Sequence, residues 1–327
     1  MYKKIVFLLI ALFLFVSSCQ LQSYDHIPEN KDVLISVNKK AGSLTFLQND
    51  TLRKLSEWDL HRNVSGAVLI KNGREIVVYD HEDPYVDTYV LSKGKKQHSW
   101  KLGKGITNII TLHNDKLAVA NGKKGTVQIV DFNGKIISTI KIGKTPISMI
   151  EDAKRGLLYV SDFDQNQIVV INLVNNKKLN SITVPLTTLG LFLTNDGERL
   201  LAGGHGNGEN ENDEVRIYST KTMKQLSVLK VPLMPVNFFS NEDGVFAIAH
   251  GTNQIYKLDP TAQKQTQFIE VGSNPYAGVG DHHTAYATSY DLNKLYKINS
   301  QKMVVEKEIS IGRGPFQLLL REGEKHE

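Results

Sequence analysis

Several features that organise other proteins are missing from this chain of 327 residues. Its only cysteine is Cys19, which excludes a disulfide within the chain and a thiolate metal cluster. No helical period of apolar residues appears after residue 30. Nucleophile-elbow, phosphate-loop and zinc-site motifs are absent, so we predict no cofactor and no metal. The formal net charge of +5 is too small and too dispersed to indicate a nucleic-acid partner.

The first 18 residues combine two lysines, no acidic residue and an apolar run over residues 5–16. This run is too short for an ordinary membrane-spanning helix and is typical of a signal peptide. It ends in Val16-Ser17-Ser18-Cys19, which resembles the lipobox of bacterial lipoproteins. The resemblance implies that residues 1–18 are removed and that Cys19 carries a thioether-linked diacylglycerol with acyl chains such as palmitate.

A diacylglycerol on Cys19 would hold the protein stably at a membrane, since two acyl chains suffice where one is marginal. The implied location is the extracytoplasmic face of the cell membrane. An uncleaved anchor helix, or a plain secretory signal with an incidental cysteine, are the alternatives. Residues 19–31 are polar and contain Pro28, and we predict that they form a short, flexible, lipidated tether.

The rest of the chain repeats a junction in which a strand-like run is followed by Gly and, three residues later, by Pro. The clearest copy is Ile142-Gly143-Lys144-Thr145-Pro146. Copies of varying quality place the second position at residues 61, 103, 143, 185, 232, 272 and 312. Seven marks spaced by 40 to 47 residues match the length of a four-stranded propeller blade. We therefore predict an all-β, seven-bladed β-propeller with four-stranded antiparallel blades.

Within each repeat, short runs rich in Val, Ile, Tyr and Thr predict strands separated by turns. Tyr159-Val160-Ser161-Asp162, just after an Ile-Gly-x-x-Pro junction, resembles the namesake segment of the YVTN-repeat family of β-propellers, a WD40-like architecture. The resemblance covers roughly residues 32–322. It implies the fold, and it says little about function because propellers host binders, enzymes and scaffolds alike.

The two ends of the repeat region are incomplete in a complementary way. The region opens at residues 32–37 with a run that aligns with a second strand, and it finishes at residues 315–321 with one that aligns with a first strand. The last strand is thus predicted to complete the first blade and close the ring, which removes an exposed sheet edge. The predicted domains are residues 1–18 (signal peptide), 19–31 (tether), 32–322 (propeller) and 323–327 (tail).

The loops on one face of a propeller commonly surround the mouth of its central channel. On that face, the loops from an outer strand to the next inner strand supply Arg62, Lys104, Lys144, Asn274 and Arg313. The loops from second to third strands supply Asn38, Asp80, His81, Asn121, Asp162, His205, His250 and Tyr290. Basic residues recurring in four blades would suit an acidic ligand. The alternative is that these residues are polar turn residues facing solvent.

His205-Gly206 and His250-Gly251 occupy matching positions in adjacent repeats. Two neighbouring imidazoles could help to bind a metal or act as acid and base. Each could instead cap the end of a strand, with Gly supplying the turn. The sequence places no third ligand beside the pair, and the prediction remains that of ligand-binding residues without a metal.

Three functions remain open at this point. The first is a membrane-anchored binding or interaction scaffold at the cell envelope. It agrees with the absence of a catalytic motif from the sequence. The second is a propeller-type hydrolase or lyase, lactonase-like, with its site at the channel mouth, and this interpretation rests on fold analogy. The third is an assembly factor whose propeller rim meets an envelope protein.

Overall fold

The computed structural model describes residues 23–206, 210–259, 261 and 263–324. Within these residues, 28 strands form seven four-stranded antiparallel sheets, arranged as the blades of a propeller. The predicted fold class is confirmed. Cys19 and the signal sequence lie outside the described residues. In the part that is described, no helix has the length and apolar character needed to cross a membrane.

Each blade contributes one strand to each of four concentric positions. The inner strands are β4 (Gly66–Ile70), β8 (Ile106–Leu112), β12 (Pro146–Asp152), β16 (Thr188–Leu193), β20 (Pro235–Asn241), β24 (Pro275–Asp281) and β28 (Pro315–Arg321). The second strands are β1 (Val33–Asn38), β5 (Glu75–Tyr79), β9 (Lys116–Asn121), β13 (Leu157–Asp162), β17 (Arg199–Gly204), β21 (Gly244–Ala249) and β25 (Thr284–Ser289).

The third and fourth positions of each blade lie towards the outside of the propeller. The third strands are β2 (Ser43–Gln48), β6 (Tyr85–Val90), β10 (Thr126–Asp131), β14 (Gln167–Asn172), β18 (Glu214–Ser219), β22 (Gln254–Leu258) and β26 (Lys294–Asn299). The outer strands are β3 (Lys54–Asp59), β7 (Lys95–Lys101), β11 (Ile136–Lys141), β15 (Lys177–Thr183), β19 (Gln225–Lys230), β23 (Gln265–Glu270) and β27 (Val304–Ser310). Two short 3-10 helices, Leu91–Lys93 and His250–Thr252, occur in connections.

Burial explains why the second strands read as continuous apolar runs and the outer strands do not. The strands β1, β5 and β21 are buried along their whole length, because neighbouring blades cover both faces. Outer strands such as β3 alternate, so that Ser56 and Trp58 are buried while their neighbours are more exposed. The apolar core lies between adjacent blades rather than within any single sheet.

The blades are numbered in the chain order of their second strands, so blade 1 contains β1 and blade 7 contains β25. The ring closes in blade 1, where the last strand supplies the inner position. Strand β28 pairs antiparallel with β1, in a register that joins Val33 to Arg321 and Leu34 to Leu320. Leu318 of β28 packs in one buried cluster with Leu34 of blade 1 and Tyr286 of blade 7. The predicted closure by the C-terminal strand is confirmed.

Residues 23–31, part of the predicted tether, pack against the propeller. Tyr24 stacks on Trp58 with ring centroids 4.9 Å apart, and its N–H donates to the carbonyl of Gly94 (2.8 Å). Ile27 is fully buried between blades 1 and 2. This part of the predicted tether therefore contacts the propeller, through two apolar side chains that pack between blades 1 and 2.

The C-terminal strand also holds this N-terminal segment. The guanidinium of Arg321 donates to the carbonyls of Pro28 and Lys31, the latter over 2.7 Å. The N–H of Gly323 donates to the Asp32 carboxylate (2.7 Å). Both ends of the described chain thus meet beside blade 1.

Candidate functional site

One position per blade marks the mouth of the channel. The residue that directly follows each second strand, or in blade 2 the second residue after it, donates its N–H to the loop that precedes the inner strand of the same blade. In six blades the acceptor is a backbone carbonyl at 2.8 to 3.4 Å, and in blade 2 it is the Ser65 hydroxyl at 3.0 Å. We call this position the collar; its members are Lys39, His81, Gly122, Phe163, His205, His250 and Tyr290.

Rings from the collar and from two inner strands form a continuous arc along one side of the mouth. Successive ring centroids are 6.3 Å apart for Phe163–His205, 5.9 Å for His205–His250 and 6.0 Å for His250–Tyr276. Tyr276 stacks on Phe316 at 4.4 Å, and Phe316 meets Tyr290 at 6.3 Å. We call these six residues the aromatic arc; it runs from blade 4 through blades 5, 6 and 7 to blade 1.

Two lysines cover the end of the aromatic arc in blade 1. The ammonium of Lys39 lies 4.7 Å from the ring centroid of Phe316, and that of Lys40 lies 4.3 Å from the centroid of Tyr290. Both side chains are exposed. Lys40 also lies 3.3 Å from the Asp291 carboxylate. A ligand at this end would meet flat apolar faces and positive charge together.

The predicted histidine pair is brought together inside the arc. Burial lowers the pKa of both His205 and His250, and the charge of His250 lowers that of His205 further. The Nδ1 atom of His250 is buried and has no hydrogen-bond partner among the described residues. Both imidazoles are therefore neutral near pH 7, and that of His250 already hydrogen-bonds the backbone at Pro275.

A metal site needs more ligands than this pair supplies. In the described ranges, no group of three or more His, Cys, Asp or Glu side chains converges as metal ligands would. The nearest additional groups in the arc are Phe163 and Tyr276, whose rings flank the two imidazoles. The arrangement supports recognition of an organic ligand by stacking and hydrogen bonding.

The predicted basic residues divide into two kinds. Arg62 pairs with Asp83 (3.0 Å) and with Asp87 of β6 (2.5 Å), and its side chain is only 17% exposed. It therefore binds blade 1 to blade 2 instead of facing the mouth. Lys104, Lys144 and Arg313 are exposed on the collar face, as the sequence predicted.

Arg313 lies beside the lysine-covered end of the arc, since its carbonyl accepts the N–H of Ala41 in the loop after Lys39 and Lys40 (3.0 Å). Asn274 lies in the junction next to this loop region, with φ +57°, and its carbonyl accepts the N–H of Tyr290. Its backbone therefore positions an arc residue.

The polar residues at the ends of the second strands prove to be structural. Asn38, Asn121 and Asp162 are fully buried. The carboxylate of Asp162 accepts the N–H groups of Lys144 and Thr145, both at 2.8 Å. Asn121 likewise donates to the Lys104 carbonyl (2.9 Å), so both side chains satisfy the backbone of the preceding loop. Asn38 instead hydrogen-bonds the hydroxyls of Ser36, Ser43 and Thr45. All three side chains are buried, so they are neither mouth residues nor the solvent-facing turn residues of the alternative.

Sequence reasoning missed Tyr276, Phe316, Lys39 and Lys40. The first two directly follow the Pro that ends a junction, in Pro275-Tyr276 and Pro315-Phe316. This position is the second residue of an inner strand, next to the channel. Reading that position across the repeats would have identified both aromatic residues.

Comparison with known proteins supports the fold alone. No protein-family model and no curated protein matches the chain. A functionally unknown protein from Desulfotomaculum acetoxidans superposes with a TM-score of 0.74 at 12% identity, covering 89% of this chain and 99% of that one. Hydrazine synthase from Kuenenia stuttgartiensis gives 0.66 at 15% identity, covering 78% and 90%. Apo AztD from Citrobacter koseri gives 0.62 at 11% identity, covering 90% and 100%.

Proposed function

We propose that this chain is a lipid-anchored, extracytoplasmic propeller that binds an anionic ligand with a flat apolar part at the channel mouth. The aromatic arc under Lys39 and Lys40 is the single observation that carries the binding proposal. The lipobox at Cys19 carries the anchoring proposal. No catalytic group is required for this function, and the closed ring supplies a rigid frame for the loops.

The chemistry of the arc defines the ligand class. Stacked Tyr276 and Phe316 offer faces to a planar or apolar group, and the nearby cations favour a carboxylate, sulfonate or phosphate. The neutral His205 and His250 add ring surface without adding charge. An acidic segment of an envelope protein would present the same combination of charge and apolar surface.

An anionic aromatic dye tests the binding site directly. Anilinonaphthalene sulfonate should fluoresce with the protein, and Lys39→Ala/Lys40→Ala should weaken its binding by at least about fivefold, because two cation contacts are lost. Phe316→Leu should weaken it as well. Matched controls are Lys221→Ala/Lys224→Ala and Phe268→Leu, which change exposed residues away from the collar. Equal affinity of all these variants would refute the site.

The anchor is tested by replacing the lipidated residue. Cys19→Ser should leave the propeller in the soluble fraction outside the cytoplasmic membrane, whereas the wild-type chain should fractionate with membranes and incorporate labelled palmitate. Retention of Cys19→Ser in the membrane fraction, unlabelled, would instead indicate an uncleaved anchor helix. A wild-type chain found soluble would overturn the anchoring proposal.

A hydrolase or lyase site at the mouth is the second candidate, and the side-by-side neutral imidazoles favour it. A neutral histidine can accept a proton during the reaction, as such chemistry requires. The test is turnover of lactone and ester substrates by the wild-type chain and by His205→Gln and His250→Gln. Turnover lost in either variant, with dye binding retained, would establish catalysis; no turnover by the wild-type chain would leave binding as the function.

A further inference from the structure

The described chain emerges from the propeller at one defined point of its outer edge. Ser23 forms a β-bridge with Lys95, the first residue of the outer strand of blade 2. Three residues separate Ser23 from Cys19. Four peptide steps span at most about 14 Å, so a lipid on Cys19 would keep this edge close to the membrane surface.

The outer edge at this point is basic. The outer strands of blades 2 to 5 contain no acidic residue, and β7 of blade 2 is the one that Ser23 contacts. The outer strands of blades 1, 6 and 7 carry Glu57, Asp59, Glu270, Glu306 and Glu308. We call the exposed lysines of β7, β11 and their preceding turns the basic edge; they are Lys93, Lys95, Lys96, Lys101, Lys135 and Lys141.

Most of this positive charge is not neutralised within the protein. Lys96 pairs with Asp87 over 2.8 Å. Lys95, Lys101 and Lys135 form no ion pair with any residue that the structure describes. Their charges therefore project into the surroundings and are available to an external anion.

The basic edge also carries exposed apolar groups. Ile136 and Ile137 begin β11 and are 41% and 44% exposed. The turn before these two residues packs on Trp100 of β7, since a Cβ added at Gly134 would lie 2.2 Å from the indole. Ile136 and Ile137 therefore lie next to β7. Lysines flanking apolar side chains match the polar and apolar layers of a membrane interface.

From these observations we infer that the basic edge of blades 2 and 3 docks on an anionic lipid surface. The inference rests on the proposed anchor for its orientation, since the described chain begins at Ser23, beside the first residue of β7. Each lysine near an anionic membrane strengthens binding about fivefold, so several together hold the propeller in one orientation. Docking on this outer edge leaves the collar face open to its ligand.

The test uses residues 20–327, which contain every described strand and, lacking Cys19, no cysteine. This protein should sediment with phosphatidylglycerol vesicles at low salt and not with phosphatidylcholine vesicles. Lys95→Glu/Lys101→Glu/Lys135→Glu should weaken binding at least about 100-fold, by the fivefold contribution of each lysine. Lys221→Glu/Lys224→Glu/Lys302→Glu makes the same change in net charge elsewhere on the propeller and should bind nearly as the wild type.

A fluorescent probe of insertion into the lipid distinguishes docking of the basic edge from non-specific electrostatic attraction to the vesicles. A polarity-sensitive fluorophore on Ile137→Cys should shift to the blue with phosphatidylglycerol vesicles, and one on Leu226→Cys, an exposed outer-strand residue of blade 5, should not. Equal losses in the two triple variants, or equal shifts at the two positions, would overturn the inference, as would absence of binding by the parent protein. Failure of Cys19 lipidation in cells would remove the anchor alone, because these vesicle measurements use no anchor.

Discussion

Replacing Leu318 with alanine tests whether the last strand, β28, contributes to the stability of the propeller as the other inner strands do. Leu318 is 5% exposed and packs with Leu34 and Leu47 of blade 1 and with Tyr286 of blade 7. A buried Leu→Ala change costs about 2–5 kcal/mol, through lost burial and the cavity left behind. We expect this full cost although Leu318 lies only nine residues from the C-terminus, where a frayed strand would lose little.

The matched control is Ile109→Ala, at the equivalent position of the inner strand of blade 3 and 2% exposed. Urea unfolding followed by tryptophan fluorescence should give losses in the free energy of unfolding within the same range for both variants. Hydrogen exchange should show the amides of β28 protected as well as those of β1. A loss below about 0.5 kcal/mol for Leu318→Ala beside a large loss for Ile109→Ala would refute closure.

Three further perturbations follow from the packing. Ile27→Ala should lower the free energy of unfolding by about 2–5 kcal/mol in urea titrations, because its site between blades is fully enclosed; an unchanged midpoint would show that the segment is detached in solution. Arg62→Ala should cost about 1–3 kcal/mol by leaving buried Asp87 with fewer partners, yet leave dye affinity unchanged. The lowered pKa values of His205 and His250 mean that the unfolded chain binds protons more readily. Stability should therefore fall as pH decreases below about 6.5, and His205→Gln/His250→Gln should weaken this dependence in melting curves at pH 7 and pH 5.

The repeat pattern predicted the fold because strand periodicity and turn residues are local properties. A junction recurs once per blade, with the full Gly-x-x-Pro pattern in three blades, and Pro146, Pro235, Pro275 and Pro315 each begin an inner strand. Even degenerate copies near residue 61 kept the spacing. Closure was predictable for the same reason, since the first and last runs each match one strand position of the repeat.

The site was predicted only in part, because a repeat assigns a residue to a loop without giving its orientation. His205 and His250 were placed correctly as neighbours. The sequence predicts Arg62 at the mouth, but carboxylates on the next blade hold it between blades, and no pattern in one blade indicates that pairing. The sequence likewise predicts Asp162 at the mouth, whereas its carboxylate accepts two backbone N–H groups of the preceding loop.

The pairing of β1 with β28 makes the order of synthesis matter. Residues 33–38 are synthesised early, and their partner strand, residues 315–321, is the last of the described strands to be synthesised. Until then the blades form an open arc whose first sheet lacks its inner strand, and contacts this distant in sequence form slowly. Under the proposed export, late closure has a use: the ring cannot close until residues 315–321 have crossed the membrane.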